Sequence, residues 1–308
     1  DVFSPVAVAA TVVENDAVAS VWMEVRDPMG ILVAEGPMAL AGAEWRGSFT
    51  PNGVGVYAAT VSAHDLTGNV GSTVARVLAV DRVPPQLAAN APPAVEVFTI
   101  ADITAIVSDN LGPVRTTLEV WDPSGRSLGN RSFPAAMALS QEFLVLGPHA
   151  WTAYAVDGSG NGDAVSGVVQ VGDSVPPVAD AGPDRTVAAG ANVPLDASGS
   201  RDNYGIRSFT WTFTANGAPQ VLRRERERFS FQQPDAYLVR LLVEDAAGNT
   251  DTDEAVITVV APDSDGDGLS DRDEGPKGTD PTVADTDGDG IVDGEDEDPT
   301  IAAFDLGR

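Results

Sequence analysis

Tyr237-Leu-Val-Arg-Leu-Leu-Val-Glu-Asp245-Ala-Ala-Gly248-Asn249 reads as a half-buried strand that breaks into a tight turn. Residues alternate in environment up to the aspartate, as a pleated strand requires, and Gly-Asn offers the positive φ that a short hairpin needs. The same sentence occurs twice more. Tyr57-Ala-Ala-Thr-Val-Ser-Ala-His64-Asp65-Leu-Thr-Gly68-Asn69 and Trp151-Thr-Ala-Tyr-Ala-Val-Asp157-Gly-Ser-Gly160-Asn161 both end on Asp-x-x-Gly-Asn. A second motif precedes the first two. Val21-Trp-Met-Glu-Val-Arg-Asp27-Pro28-Met-Gly30 matches Thr117-Leu-Glu-Val-Trp-Asp122-Pro123-Ser-Gly125, each a strand closing on a Pro-Gly turn. The chain therefore repeats at roughly ninety residues, the size of one β-sandwich.

Prolines punctuate the repeats. Pro84-Pro85 and Pro176-Pro177 close the first two units and Ala261-Pro262 the third. Proline has no donor for a sheet ladder and stiffens a linker. The boundaries that follow are 1–83, 84–175, 176–261 and a remainder, 262–308. The first two units resemble bacterial and archaeal Ig-like repeats. The third resembles a PKD domain over 177–260, on Ala181-Gly-Pro-Asp184, Val193-Pro-Leu195-Asp196-Ala-Ser198-Gly199-Ser200-Arg-Asp202 and Ile206 to Trp211-Thr-Phe213. It departs at Trp211-Thr-Phe213-Thr-Ala-Asn-Gly217, where many members carry Trp-Asp-Phe-Gly-Asp-Gly. What these resemblances imply is an all-β fold of three tandem sandwiches; such sandwiches serve as spacers and adhesive modules, so they say little about ligand.

The remainder carries the strongest chemical pattern. Asp263-Ser-Asp265-Gly-Asp267-Gly268-Leu269-Ser-Asp271-Arg-Asp273-Glu274 returns in large part at Asp285-Thr-Asp287-Gly-Asp289-Gly290-Ile291-Val-Asp293. A hard divalent cation takes six to eight oxygens. Acids at loop positions 1, 3, 5 and 9, a carbonyl at 7 and a carboxylate at 12 supply them, with glycine at the turn. The first set is Asp263, Asp265, Asp267, the Leu269 carbonyl, Asp271 and Glu274. The second is Asp285, Asp287, Asp289, the Ile291 carbonyl, Asp293 and Asp296, the last one methylene shorter than the preferred Glu. The alternative is a solvated acidic tail, since dense like charge repels and unfolds; two patterns in register argue against it. No amphipathic helices flank the loops, and Pro262, Pro276, Pro281 and Pro299 interrupt them, so a helix–loop–helix sensor fits poorly. Residues 263–299 resemble the cysteine-free prokaryotic thrombospondin type 3 repeat. That resemblance implies a compact Ca2+-stapled module with little regular secondary structure, in which Asp280 of Gly278-Thr279-Asp280-Pro281 completes a cage.

Charge and composition bound the rest. The net charge is −28, and 263–298 holds fifteen acids against Arg272 and Lys277. Nucleic acid is a poor partner, because phosphate binding needs a basic face. There is no cysteine, hence no disulfide or thiolate site. Lys277 is the only lysine, which excludes Lys–Asn crosslinks elsewhere. No signal peptide or membrane span is read, and the opening at Asp1 suits a processed mature chain. Sites of this acid density suit the extracellular space, where calcium is about millimolar.

Smaller features leave two readings each. In an Ig-like sandwich Asp109, Asn110 and Asp157 converge on the linker acid Asp81, and Asp202, Asn203 and Asp245 on Asp173. That makes either a cation clip or simply good turns. Arg223-Arg224-Glu225-Arg226-Glu227-Arg228 lies on an expected hairpin, as a solvated strand face or a docking patch for an acidic neighbour. Catalysis has little to stand on: His64 sits in a hairpin, His149 before a strand, and no Gly-x-Ser-x-Gly elbow occurs. The five tryptophans fall mostly on strand positions suited to cores. The apolar runs Val2–Val12 and Ile301–Leu306 either pack on their own domains or donate a strand to another copy. The sequence thus points to a non-enzymatic, extracellular, calcium-binding structural protein, a rod-like stalk, layer or filament subunit. Its partners would be further copies of itself, joined head-to-tail, or neighbouring surface proteins. The alternative is an accessory or adhesin module that binds polysaccharide or protein.

Overall fold

A computed structural model describes residues 1–13, 17–112, 114–134 and 136–302. The chain divides into two compact units, Asp1–Val171 and Gly172–Arg308. Almost all regular structure is β, so the all-β expectation holds.

The first unit contains two pairs of sheets. In the first pair, β1 (Val6–Ala10), β4 (Ala39–Ala41) and β5 (Glu44–Phe49) form a sheet in the order β1-β5-β4. Facing strands β2 (Val18–Arg26), β3 (Leu32–Pro37), β6 (Gly55–Asp65) and β7 (Val70–Ala79) run in the order β3-β2-β6-β7. Between them Val21, Met23, Val25, Tyr57, Ala59 and Val61 are buried, the inward positions of two strands at period 2. The second pair combines β8 (Gln86–Asn90), β10 (Ile100–Ser108) and β13 (Met137–Glu142) with a sheet of five. The five are β9 (Ala94–Glu96), β11 (Arg115–Trp121), β12 (Ser127–Phe133), β14 (Gly147–Val156) and β15 (Gly162–Gly172). Leu118, Val120, Trp151, Ala153 and Ala155 fill its core.

In the second unit, β16 (Arg185–Ala188), β18 (Ile206–Ala215), β19 (Ala218–Leu222), β21 (Asp235–Asp245) and β22 (Thr250–Val260) form a sheet in the order β16-β22-β21-β18-β19. Strands β17 (Asn192–Asp196) and β20 (Arg226–Ser230) pair separately. Tyr237, Val239, Leu241 and Val243 point inward along β21 against fully buried Trp211, while Leu238 and Leu242 stay exposed. The Trp211 indole N–H donates to the Arg224 carbonyl at 3.0 Å, so its polar edge is satisfied inside the core.

The repeated turns are built alike. In all three Asp-x-x-Gly-Asn hairpins the aspartate Oδ1 accepts from the N–H groups two and four residues on. These are Thr67 and Asn69 onto Asp65, Ser159 and Asn161 onto Asp157, and Ala247 and Asn249 onto Asp245. Gly68, Gly160 and Gly248 carry φ of 93°, 91° and 96°, the left-handed region the turn requires. The Asp27 and Asp122 turns repeat this brace.

Several expectations are corrected. The run Arg223–Arg228 is not a hairpin: β19 pairs with β18 whereas β20 pairs with β17, so the run carries the chain from one sheet to the other. His149 lies inside β14, fully buried against Phe143, not ahead of a strand. Trp151 and Trp211 are buried in cores and Trp45 packs against the core of the first sandwich, whereas Trp22, on an outward β2 position, is 41% exposed. The N-terminal run is seated in its own sandwich, with Val6–Ala10 paired to β5 and Val2 and Val8 buried. Phe304 and Leu306 of the C-terminal run lie outside the described residues, while Ile301 is exposed.

Candidate metal centre

Residues 263–302 wrap around carboxylates rather than an apolar core. Each loop is shaped by its own acids, and the two loops are built identically at an offset of 22 residues. Asp263 accepts from the N–H groups of Gly266 (2.8 Å) and Gly268 (3.2 Å), and Asp285 accepts from Gly288 (2.8 Å) and Gly290 (2.9 Å). These four glycines have φ between 75° and 99°, which side chains rarely adopt. Ser264 donates from N and Oγ to Asp271, as Thr286 does from N and Oγ1 to Asp293. The Asp271 and Asp293 N–H groups bond back to the Pro262 and Ala284 carbonyls.

The first loop runs into a helix, α1 (Asp271–Lys277), which the prolines had argued against. Ser270 caps its start by accepting from the Asp273 N–H, and Gly278, at φ 81°, ends it. Pro276 is tolerated because so short a helix needs few backbone donors. The helix turns Glu274 inward to full burial.

Three acidic clusters result, each with one oxygen per residue within 4.8 Å of the others: Asp263, Asp265 and Asp267; Asp285, Asp287 and Asp289; and Asp267, Glu274 and Asp293. The third joins the two loops. The sequence pattern assigned Glu274 to the first loop and Asp293 to the second, and only the close docking of the loops brings them together. Gly294 makes that docking possible: its N–H donates to Asp267 Oδ2 at 3.1 Å and its backbone lies against Asp267. Among the described residues Asp280 falls in none of these clusters, its Oδ1 accepting from Thr282 N and Oγ1. Asp296 Oδ2 is buried without a partner.

Electrostatics mark the same residues. Burial, then the Asp265, Asp267, Asp271 and Asp293 charges, push the Glu274 carboxyl above its ordinary pKa. Burial raises Asp265, opposed by the Asp267 N–H and reinforced by the Asp267 and Asp263 charges. Burial raises Asp287, opposed by the Asp289 N–H and reinforced by Asp289, Asp296 and Asp285. Among the described residues twelve buried side-chain atoms lack a hydrogen-bond partner, and nine of them are carboxylate oxygens, including both of Glu274. An unpaired buried carboxylate is strongly unfavourable. An all-oxygen donor set of this density, with acceptors left over, fits a hard divalent cation such as Ca2+. Asp263, Asp265, Asp267, Glu274, Asp285, Asp287, Asp289 and Asp293 would hold it, with Asp271 bracing the first loop. The Leu269 and Ile291 carbonyls follow the fifth-position acids, whose Oδ1 atoms fix the Leu269 and Ile291 N–H groups.

Residues 174–259 match the PKD domain family. Over 124 residues, 38% of this chain and 12% of that protein, it is 28% identical to the Dyslexia-associated protein KIAA0319-like protein of Mus musculus. The chain thus spans 12% of the length of that curated relative. Among solved structures, a tetra-tandem repeat in the extending region of a large adhesion protein superposes with a TM-score of 0.47 at 18% identity, covering 80% of this chain and 69% of that one. The PKD domain from KIAA 1837 protein is 24% identical over 26% of this chain and 83% of its own, with a TM-score of 0.22. Among the described residues no helix is long and apolar enough to cross a membrane.

Proposed function

We propose that this chain is an extracellular, calcium-binding structural module, with 1–83, 84–175 and 176–261 as spacer sandwiches and 262–308 as a calcium-stapled module resembling a thrombospondin type 3 repeat. The observation that carries the reading is the pair of identically braced acidic loops, docked so that Asp267, Glu274 and Asp293 meet with both Glu274 oxygens unpartnered. The module has almost no apolar core of its own, so the cation supplies its folding free energy. Its work is mechanical, at a cell-surface stalk, layer or filament, and its chemistry is ion binding rather than catalysis. The match of residues 174–259 to the PKD domain family fits a spacer role for the third sandwich. The proposed partners are further copies of the chain or neighbouring surface proteins. β1 already occupies an edge of its own sheet, so the N-terminal run works within its sandwich.

A calcium titration of the full chain tests the reading. Calcium should raise the thermal midpoint and protect 263–301 from proteolysis, and chelation should reverse both. A chain that binds no calcium, or whose C-terminal segment resists protease equally in chelator, overturns it. Electron microscopy with calcium and then chelator tests self-association: chelator-sensitive fibres or sheets support it. A monomer retained on an insoluble polysaccharide supports an accessory binding role instead.

A further inference from the structure

Two more acidic sites stand outside the C-terminal module, each where a linker enters a sandwich. In the first unit Asp81 follows β7, Asp109 follows β10 and Asp157 follows β14, and one oxygen of each lies within 4.8 Å of the others. In the second unit Asp173, Asp202 and Asp245 repeat the arrangement. Asp81, Asp157, Asp173 and Asp245 are all more than nine-tenths buried.

Turn-making accounts for only part of each site. Asp81 Oδ1 accepts from Val83 N (3.1 Å) and Asn110 Nδ2 (3.2 Å), yet its Oδ2 is buried with no partner. Asp109 Oδ2 accepts from Leu111 N (3.0 Å), yet its Oδ1 is buried with no partner. The second site divides its oxygens the same way. Asp173 Oδ1 accepts from Val175 N and Asn203 Nδ2, and Asp202 Oδ2 from Tyr204 N and Gly205 N, while Asp173 Oδ2 and Asp202 Oδ1 are left over. In both, the hairpin asparagine ties the linker to the sandwich: Asn161 Nδ2 bonds to the Asp81 carbonyl and Asp157 Oδ2, Asn249 Nδ2 to the Asp173 carbonyl and Asp245 Oδ2. No ion pair among the described residues reaches any of the six aspartates. Three carboxylates this close, with two orphaned oxygens and no ion-pair partner, would repel one another if turns were their only purpose. The same pattern of engaged and orphaned oxygens, arising twice in separate sandwiches, calls for a counter-ion.

We propose that Asp81, Asp109 and Asp157 bind one Ca2+, and that Asp173, Asp202 and Asp245 bind another. The donors are all oxygen, which suits calcium over softer metals, and water completes the shell. The first ion clamps the segment between the first two sandwiches onto two loops of the second. The second ion clamps the segment entering the third sandwich onto that sandwich. The sites are independent of the C-terminal module.

The test is a count of calcium ions bound per full-length chain, by equilibrium dialysis at about 1 mM free calcium, for the wild type, Asp109→Asn, Asp202→Asn and the double variant. Asparagine keeps an acceptor for the turn N–H groups and removes one charge from each site. Each single variant should lose about one ion per chain and the double variant about two. Thermal midpoints in chelator should be unchanged or higher, since like-charge repulsion falls. A double variant that binds as many ions as the wild type overturns the proposal and leaves turn-making as the explanation. A chain carrying Asp265→Asn and Asp287→Asn separates this from the C-terminal reading, because it should keep both linker ions; their loss in that chain would also overturn the proposal.

Discussion

Gly294→Ala puts a single methyl group between the two acidic loops. A Cβ at position 294 would sit 2.4 Å from the Asp267 carbonyl oxygen and 3.1 Å from the carbonyl carbons of Asp267 and Gly268. These are backbone atoms of a loop held by its own hydrogen bonds, so no side chain can swing aside. Restoring an ordinary 3.4 Å contact moves the loops apart by about 1 Å, since 2.4 Å is the present approach. Overpacking of this kind costs about 1–3 kcal/mol. The displacement falls on Asp267, which belongs to two of the three clusters, and on the Gly294 N–H bond to its Oδ2. Calcium affinity of the cross-loop site should therefore fall about 5- to 150-fold, at about 1.4 kcal/mol per tenfold. Isothermal titration of the full chain reads this directly. Gly275→Ala is the control: it lies in α1 of the same module, has nothing within 4 Å of its Cβ and should leave affinity unchanged or improved. Wild-type calcium affinity in Gly294→Ala would refute the claim that loop docking assembles the site.

Glu274→Gln removes one charge from the buried cross-loop cluster. The metal-free thermal midpoint should rise and the increment on adding calcium should shrink, and an unchanged increment would place Glu274 outside the ion site. Trp211→Ala should destabilise the third sandwich by about 3–5 kcal/mol, measured as hydrogen exchange of β21 amides, because it empties a fully buried site and leaves the Arg224 carbonyl without its donor; a loss under about 1 kcal/mol would contradict that packing. Asp65 is held at a pKa of about 2 by the Asn69 side chain, with burial opposing, then by the Asn69 N–H and Thr67, against an ordinary 3.8. A lowered pKa contributes stability above 3.8 that is lost as pH falls toward about 2, so Asp65→Asn should flatten the acid limb of the stability profile in that window, followed by denaturant titration.

The hairpin phrases ending at Asn69, Asn161 and Asn249 specify their strands, turns and even their glycine conformations locally, which is why they were legible in sequence. The same holds for the 22-residue offset of the acidic loops, whose braces all form within a few residues. What sequence did not give is set by contacts far apart in the chain. Glu274 reads as the last ligand of one loop until Gly294 allows that loop to touch the next. The alternating charges at Arg223–Arg228 look like a hairpin face, but the chain changes sheets there, β20 pairing with β17 so that Phe229 faces Val193 and Arg226 bonds to Asp196, partners some thirty residues away in sequence. Trp22 has the spacing of a core residue yet faces outward, because alternation gives a period without saying which face is covered. The convergence of Asp109 and Asp157 on Asp81, and of Asp202 and Asp245 on Asp173, was legible from the repeat, and one oxygen of each does lie within 4.8 Å of the others. The burial of Asp81 and Asp173 was not, because it depends on how each linker packs against its sandwich.

The third sandwich begins and ends on neighbouring strands that run the same way: Arg185–Ala188 of β16 pairs in parallel with Ile257–Val260 of β22. Because the two strands run the same way, the chain enters β16 at one end of their ladder and leaves β22 at the other. Tension applied through the chain on either side of this sandwich therefore drags β16 and β22 past each other along their length. Every rung of that ladder is loaded at once, whereas a hairpin pulled from its open end peels one rung at a time. A module joined into a longer chain in this way resists stretching at the place where the pull arrives.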